Sequence, residues 1–174
     1  RSYLFKEKLP KIACFARLLK DKGILEYIEA TKILFKNYPE LIGSVFLAGT
    51  FYKYNLKNNL ITSDIVSDWE NSGGIFLGQP KNKDLFYMDM DIICLPSYRE
   101  GLSNVLLEAA SKGFILVTTS VCGCKDIVKD GAGIICIPKS SSELYKAILK
   151  AVMLSKKEQQ TIKDNAFQRL ENDF

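Results

Sequence analysis

Apolar residues along this chain fall into short unbroken runs, separated by stretches where they recur every third or fourth position. The run KIACFA at 11–16 reads as a buried strand. After Gly23, the positions Ile24, Ile28, Thr31, Phe35 and Tyr38 follow helical spacing, and Pro39 ends the pattern. SVFLAG at 44–49 predicts a second strand and GIFLG at 74–78 a third. DIICL at 91–95, closed by Pro96, is the fourth; FILVT at 114–118 and residues 133–137 are the fifth and sixth. The polar, Asn/Lys-rich segment 51–64 predicts a loop and a ragged helix start that runs into 65–71. Further helices are expected over 103–112, stopped by Gly113, and after Pro138, opened by the Ser-x-x-Glu of Ser140 and Glu143. The tail, 155–174, is rich in Lys, Gln and Glu and reads as one more helix.

Strands that are apolar throughout, alternating with helices, predict an α/β fold: a doubly wound, mostly parallel Rossmann-like sheet of about six strands. Residues 1–10, with Arg1, Lys6, Lys8 and Pro10, read as a connector. Residues 11–154 then form one domain, and 155–174 a C-terminal helix. No repeat or low-complexity tract interrupts them.

Composition narrows the chemistry. Lysine and arginine number 24 against 20 acidic residues, a net charge of +4, which is too mild to argue for nucleic-acid binding. No apolar run reaches the ~18 residues of a membrane span, and the charged start does not resemble a secretory signal. There is no histidine, so His-base triads, His metal sites and His proton shuttles are excluded within these residues. Of the five cysteines, Cys14, Cys94 and Cys136 lie in apolar runs and read as buried thiols. Cys122-Gly-Cys124 lacks the spacing of a redox or zinc pair. That usage fits a reducing compartment, so the expected location is cytoplasmic, and no metal site is expected.

Parallel sheets bind ligands beyond the carboxyl ends of their strands. After the first strand come Arg17, Lys22 and Gly23. This is either an anion site, with two cations converging on a phosphate, or a solvated basic turn. After the fourth strand comes PSYREGLSNVLLE, residues 96–108. It sets Glu100 and Gly101 just before a helix N-terminus, where unpaired amides attract anions and Gly101 permits close approach. Glu108, one turn past Asn104, could accept from a vicinal diol such as a ribose. The plainer alternative is that Glu100 caps the helix and Glu108 faces solvent. Together the two loops bring cations, backbone donors and two carboxylates to one rim, the mixture that a diphosphate joined to hydroxyl-rich sugars requires.

The ordered array comprises Arg17-x4-Lys22-Gly23, FLAG ending at Gly49, IFLG ending at Gly78, PSYREGLSNVLLEAASKG at 96–113 and GCKDIVKDG at 123–131. It resembles the C-terminal half of a family 4 retaining glycosyltransferase over residues 11 to 148. Its Glu-x7-Glu element is the most specific part. The WENSG stretch at 69–73 and the CGCKD turn at 122–126 look most like bacterial enzymes that extend surface glycans, lipopolysaccharide or capsule, on a lipid carrier. FLAG lacks the second glycine often found at that place.

The resemblance implies one half of a GT-B fold, with Glu100, Lys22 and Arg17 as catalytic residues. Arg17 and Lys22 would bind and stabilise the diphosphate; the backbone at Gly101, Leu102 and Ser103, beside Asn104, would cap the distal phosphate. Glu108 would hold the ribose, Glu100 the transferred sugar, and Gly78 and Gln79 the base. The expected donor is a UDP-sugar carrying a hexose or N-acetylhexosamine, with no metal and no other cofactor. A GDP- or ADP-sugar donor, or a non-catalytic nucleotide-binding module, are the alternatives. The glycan acceptor would sit on an N-terminal domain preceding Arg1, leaving this chain inactive alone. A lipid-linked acceptor would bring the full protein to the cytoplasmic face of the inner membrane as a peripheral protein. In such folds the last helix crosses back to the other domain, so residues 155–174 are expected to be partly unsupported.

Overall fold

The computed structural model describes residues 8–52 and 59–174. The connector expected at 1–10 therefore lies largely outside the described residues, as does the middle of the 51–64 loop. Six strands form one sheet in the order β3-β2-β1-β4-β5-β6. They are β1 (Ile12–Phe15), β2 (Val45–Ala48), β3 (Ile75–Phe76), β4 (Ile92–Leu95), β5 (Ile115–Thr119) and β6 (Ile134–Cys136). Every pairing is parallel, and Ile12 lies opposite Val45 on one side and Ile92 on the other. The doubly wound expectation is met, and the strand order reverses between β1 and β4.

The helices are α1 (Ile24–Asn37), α2 (Ser63–Asn71), α3 (Lys83–Tyr87), α4 (Asn104–Ser111), α5 (Lys125–Val128), α6 (Ser141–Val152) and α7 (Lys156–Asp173). α3 and α5 have no counterpart in the sequence reading. At five and four residues, each is too short to display a helical period. Ser140 caps α6 by accepting from the Glu143 amide, as the Ser-x-x-Glu pattern predicts.

Alternate residues of each strand feed two cores, because successive side chains leave a strand on opposite faces. Ile12, Cys14, Ile92 and Cys94 join Tyr27, Leu34 and Trp69 on one face. Ala13, Phe15, Ile93 and Leu95 join Leu106, Ala109 and Ile127 on the other. The first core holds its polar atoms in bonds: the Tyr27 hydroxyl donates to the Phe46 carbonyl, and the Trp69 indole to Thr31 Oγ1 at 2.8 Å. Cys14, Cys94, Cys124 and Cys136 are buried and Cys122 is exposed; all five are free thiols.

The tail corrects one expectation. α7 is docked on this chain through Ala166, which is buried among the residues of the second core. Its Ser155 and Glu158 form a reciprocal cap. Arg169, nearly buried, donates to the Asp126 carbonyl at 2.7 Å and the Ile127 carbonyl at 3.3 Å, and pairs with Asp130 and Asp173. The guanidinium fork reaches all four from one position, which explains a tail that is held locally. Among the described residues, no helix is long and apolar enough to cross a membrane.

Arg169→Ala is expected to cost about 2 kcal/mol, because charge-assisted hydrogen bonds to the Asp126 and Ile127 carbonyls at the end of α5 are lost. Hydrogen exchange should quicken in α7 and α5 before the rest of the sheet; uniform quickening would assign Arg169 no local role.

Candidate functional site

The reversal of strand order leaves a crevice beyond the carboxyl ends of β1 and β4. Two glycines bring the surrounding loops together. Gly23, with φ +71°, lies against the Pro96 carbonyl so closely that a β-carbon there would sit 2.0 Å from that oxygen. Gly123, with φ +77°, lies against the Gly101 carbonyl, where a β-carbon would sit 1.3 Å away. Any side chain at either place would push the loop after β4 off its seat.

The loop after β1 is further tied down. Its Asp21 exchanges two hydrogen bonds with Asn59, at 3.0 and 3.2 Å, and its Asp21 carbonyl accepts from the Tyr98 amide at 2.8 Å. Tyr98 donates its hydroxyl to Glu26. Burial raises that phenol far above its ordinary value, and the Glu26 carboxylate, which favours its protonated donor form, adds to the shift.

The resulting cleft has a volume of about 380 Å³ and contains Arg17, Lys22, Gln79, Glu100, Leu102, Ser103 and Asn104 in its lining. Seven of the ten predicted donor-site residues thus share one crevice. Phe15, Ala16, Leu95 and Val105 complete its wall. Lys22 Nζ stands 2.7 Å from Glu100 Oε1, with side-chain exposures of 14% and 16%. The Ser97 hydroxyl donates to the same oxygen at 2.8 Å. Arg17 is exposed at the mouth, its guanidinium 5.9 Å from the Tyr52 ring centre. The basic turn and the acidic loop therefore meet, which decides against Lys22 as a merely solvated lysine.

Glu100 is not a helix cap. Ser103 has that role, accepting from the Leu106 amide at 3.3 Å, so α4 begins with Asn104 and Val105 in the cleft wall. First-turn amides have no intrahelical acceptor, and the positive end of the helix dipole lies with them. The arrangement supplies an exposed cation at the mouth, an ammonium–carboxylate pair within, and a helix start beside it.

Three predicted residues lie outside this lining. The Gly78 carbonyl already accepts from the Gly49 amide at 2.8 Å, while neighbouring Gln79 is held by the Thr50 hydroxyl at 2.7 Å. Gly101 is seated under Gly123. Glu108 stands half-buried one turn beyond Asn104, close enough to Tyr87 to add to burial in raising that phenol. Ser97 and Gly123 were not singled out by the sequence reading. The polar residue directly after Pro96 and the glycine between two cysteines are their faint signals.

A second hollow, about 360 Å³, lies at the sheet edge between β6 and α6 and shares no predicted site residue. Its Lys146 is tied to Glu143 at 2.7 Å. Among the described residues, no cluster of three metal-ligating side chains is present.

A family model described as "Glycosyl transferases group 1" matches residues 1–169. The capsular polysaccharide biosynthesis glycosyltransferase CapM of Staphylococcus aureus is 28% identical over 167 residues, covering 94% of this chain and 42% of its own length. The chain spans between 31% and 42% of the length of the curated relatives it matches. A glycosyltransferase from Rickettsia africae ESF-5 has the same fold, with a TM-score of 0.77, 16% identity, and coverage of 99% of this chain and 45% of that one. So does the C-terminal domain of LpcC, a glycosyl transferase group 1 family protein from Francisella tularensis. Its TM-score is 0.73 at 23% identity, covering 95% of this chain and 87% of that domain.

Lys22→Ala is expected to cost about 2 kcal/mol, between the values for exposed and buried pairs, since it strands a mostly buried carboxylate. Lys22→Ala/Glu100→Gln should cost less than the two single changes added together. Urea unfolding of the four proteins measures this, and strict additivity would show that the pair is not coupled.

Proposed function

Because the chain belongs to the group 1 glycosyl transferases, we propose that it holds a nucleotide-sugar donor between β1 and β4 for a retaining, family 4 transfer. The observation carrying this reading is the single cleft that joins Arg17 and Lys22 to Glu100 and the first turn of α4. As the glycosidic bond to the donor breaks, negative charge accumulates on the departing diphosphate, and fixed cations aimed there lower the barrier. Arg17 and Lys22 supply them, and charge-assisted contacts of this kind contribute about 1.5–3 kcal/mol each. An ammonium has three donors, so the bond to Glu100 leaves two for phosphate oxygens.

The remaining roles follow around that anchor. The backbone of Gly101, Leu102 and Ser103, with Asn104, caps the distal phosphate; Glu100 accepts from hydroxyls of the transferred sugar. Glu108 accepts from the ribose, and the loop at Gly78 and Gln79 meets the base. The donor is a UDP-sugar, carrying a hexose or N-acetylhexosamine destined for a lipid-linked bacterial glycan. The relative named for capsular polysaccharide biosynthesis supports that destination. The acceptor is bound by the portion of such proteins that this chain does not span, so the 174 residues bind donor without transferring sugar. The whole protein works in the cytoplasm and meets its acceptor at the inner membrane surface.

Calorimetry with UDP, GDP and ADP tests the reading. UDP should bind, with no dependence on divalent metal when EDTA is added. Lys22→Ala should weaken UDP at least about tenfold, the loss of one charge-assisted contact, while Glu100→Gln leaves UDP within about twofold. A preference for GDP or ADP would reassign the donor, and no binding at millimolar nucleotide would overturn the site. Release of UDP from a UDP-sugar by a protein of the relatives' full length, given a lipid-linked glycan, separates an enzyme from a non-catalytic nucleotide-binding module.

A further inference from the structure

Glu100 receives two hydrogen bonds, and both fall on one oxygen. Lys22 Nζ lies 2.7 Å and Ser97 Oγ 2.8 Å from Oε1. Among the described residues, Oε2 has no hydrogen-bond partner. The two donors come from different loops, one after β1 and one after β4, so together they fix the plane of the carboxylate rather than merely its position. Ser97 is itself fully buried and does not line the cleft. It can reach a ligand only through Glu100.

Ser97 is held from behind. Its carbonyl accepts from the buried Thr119 hydroxyl at 2.6 Å, and the neighbouring Thr118 hydroxyl donates to the Leu95 carbonyl at 2.7 Å. Both threonines close β5, so two hydroxyls stitch the start of the loop after β4 onto the adjacent strand. Hydroxyls buried at the end of a strand need acceptors, and here the acceptors are the carbonyls that set where Ser97 stands.

We infer that Ser97 is a positioning residue that, with Thr119 behind it, commits Oε1 of Glu100 to the protein and presents Oε2 to a hydroxyl of the donor sugar. This rests on the donor-site reading above and adds to it the residue that orients the sugar-reading carboxylate. A carboxylate freed of the Ser97 bond keeps its charge and its contact with Lys22 but can rotate. The diphosphate contacts then survive, while the directional bond to the sugar weakens.

The test compares two affinities in the same protein. The probes are UDP, UDP-glucose and UDP-N-acetylglucosamine, titrated by calorimetry into the parent chain, Ser97→Ala and Thr119→Val. In Ser97→Ala, UDP affinity should stay within about twofold. The ratio of UDP-sugar to UDP dissociation constants should rise at least about fivefold for the sugar the parent prefers, on the scale of one lost hydrogen bond. Thr119→Val, which keeps its shape and loses its hydroxyl, should shift the ratio in the same direction by less. It decides the matter if Ser97→Ala does not fold. A purely structural role would weaken UDP and UDP-sugar equally and lower the melting temperature without moving the ratio. That result, or an unmoved ratio with full UDP binding, overturns this inference and leaves the donor site standing. Failure of the parent chain to bind UDP overturns both.

Discussion

Backbone contact between loops is the constraint on which the site depends. The segment after β4 is pressed from one side by Gly23 and from the other by Gly123, each against a carbonyl oxygen with no room for a β-carbon. Hydrogen bonds from Thr118, Thr119 and Tyr98 hold the same segment in register. The chemistry of the cleft rests on this compression, because Glu100 belongs to the pressed loop and Lys22 to the loop that presses it. Their ion pair is a consequence of the backbone fit, not its cause.

The support reaches the far end of the chain. Asp126 accepts from the Gly123 amide at 3.1 Å, and its own carbonyl is bound by Arg169 of α7. A helix distant from the cleft thus grips the turn whose glycine bears on Gly101. This gives the last helix a part in the architecture of the site that its sequence, polar and of weak helical periodicity, does not advertise.

The sheet was largely readable before the structure because its strands are apolar on both faces, and continuous runs such as DIICL and FILVT have few other readings. Their ends differ by one or two residues: Lys11 and Ala16 still bond to the neighbouring strands through their backbone but lie just outside β1, and β5 runs one residue further, to Thr119. The short helices α3 and α5 escaped because a single turn has no period. In the site, residues whose chemistry is overt, Arg17, Lys22, Glu100 and Asn104, were legible as a rim of charges beyond strand ends. Ser97 was not, because a serine after a proline resembles any turn residue until a carboxylate is found beside it. The expectation of a partly unsupported tail is corrected for a related reason: Arg169 reaches back to Asp126, Ile127 and Asp130 around α5, a relation no local pattern encodes.

The pairing of Lys22 with Glu100 also bears on which anions this crevice admits. Its floor is electrically balanced, and the unneutralised positive charge stands at the lip, on exposed Arg17. Inorganic phosphate drawn inward by Arg17 would share the ammonium with a carboxylate that already takes one of its three donors and offers the phosphate no hydrogen bond. A sugar nucleotide meets the same carboxylate with hydroxyl groups, turning it into an acceptor. On the donor-site reading, the paired acid therefore adds nothing to the hold on a bare phosphate and contributes only when the anion brings hydroxyl groups with it.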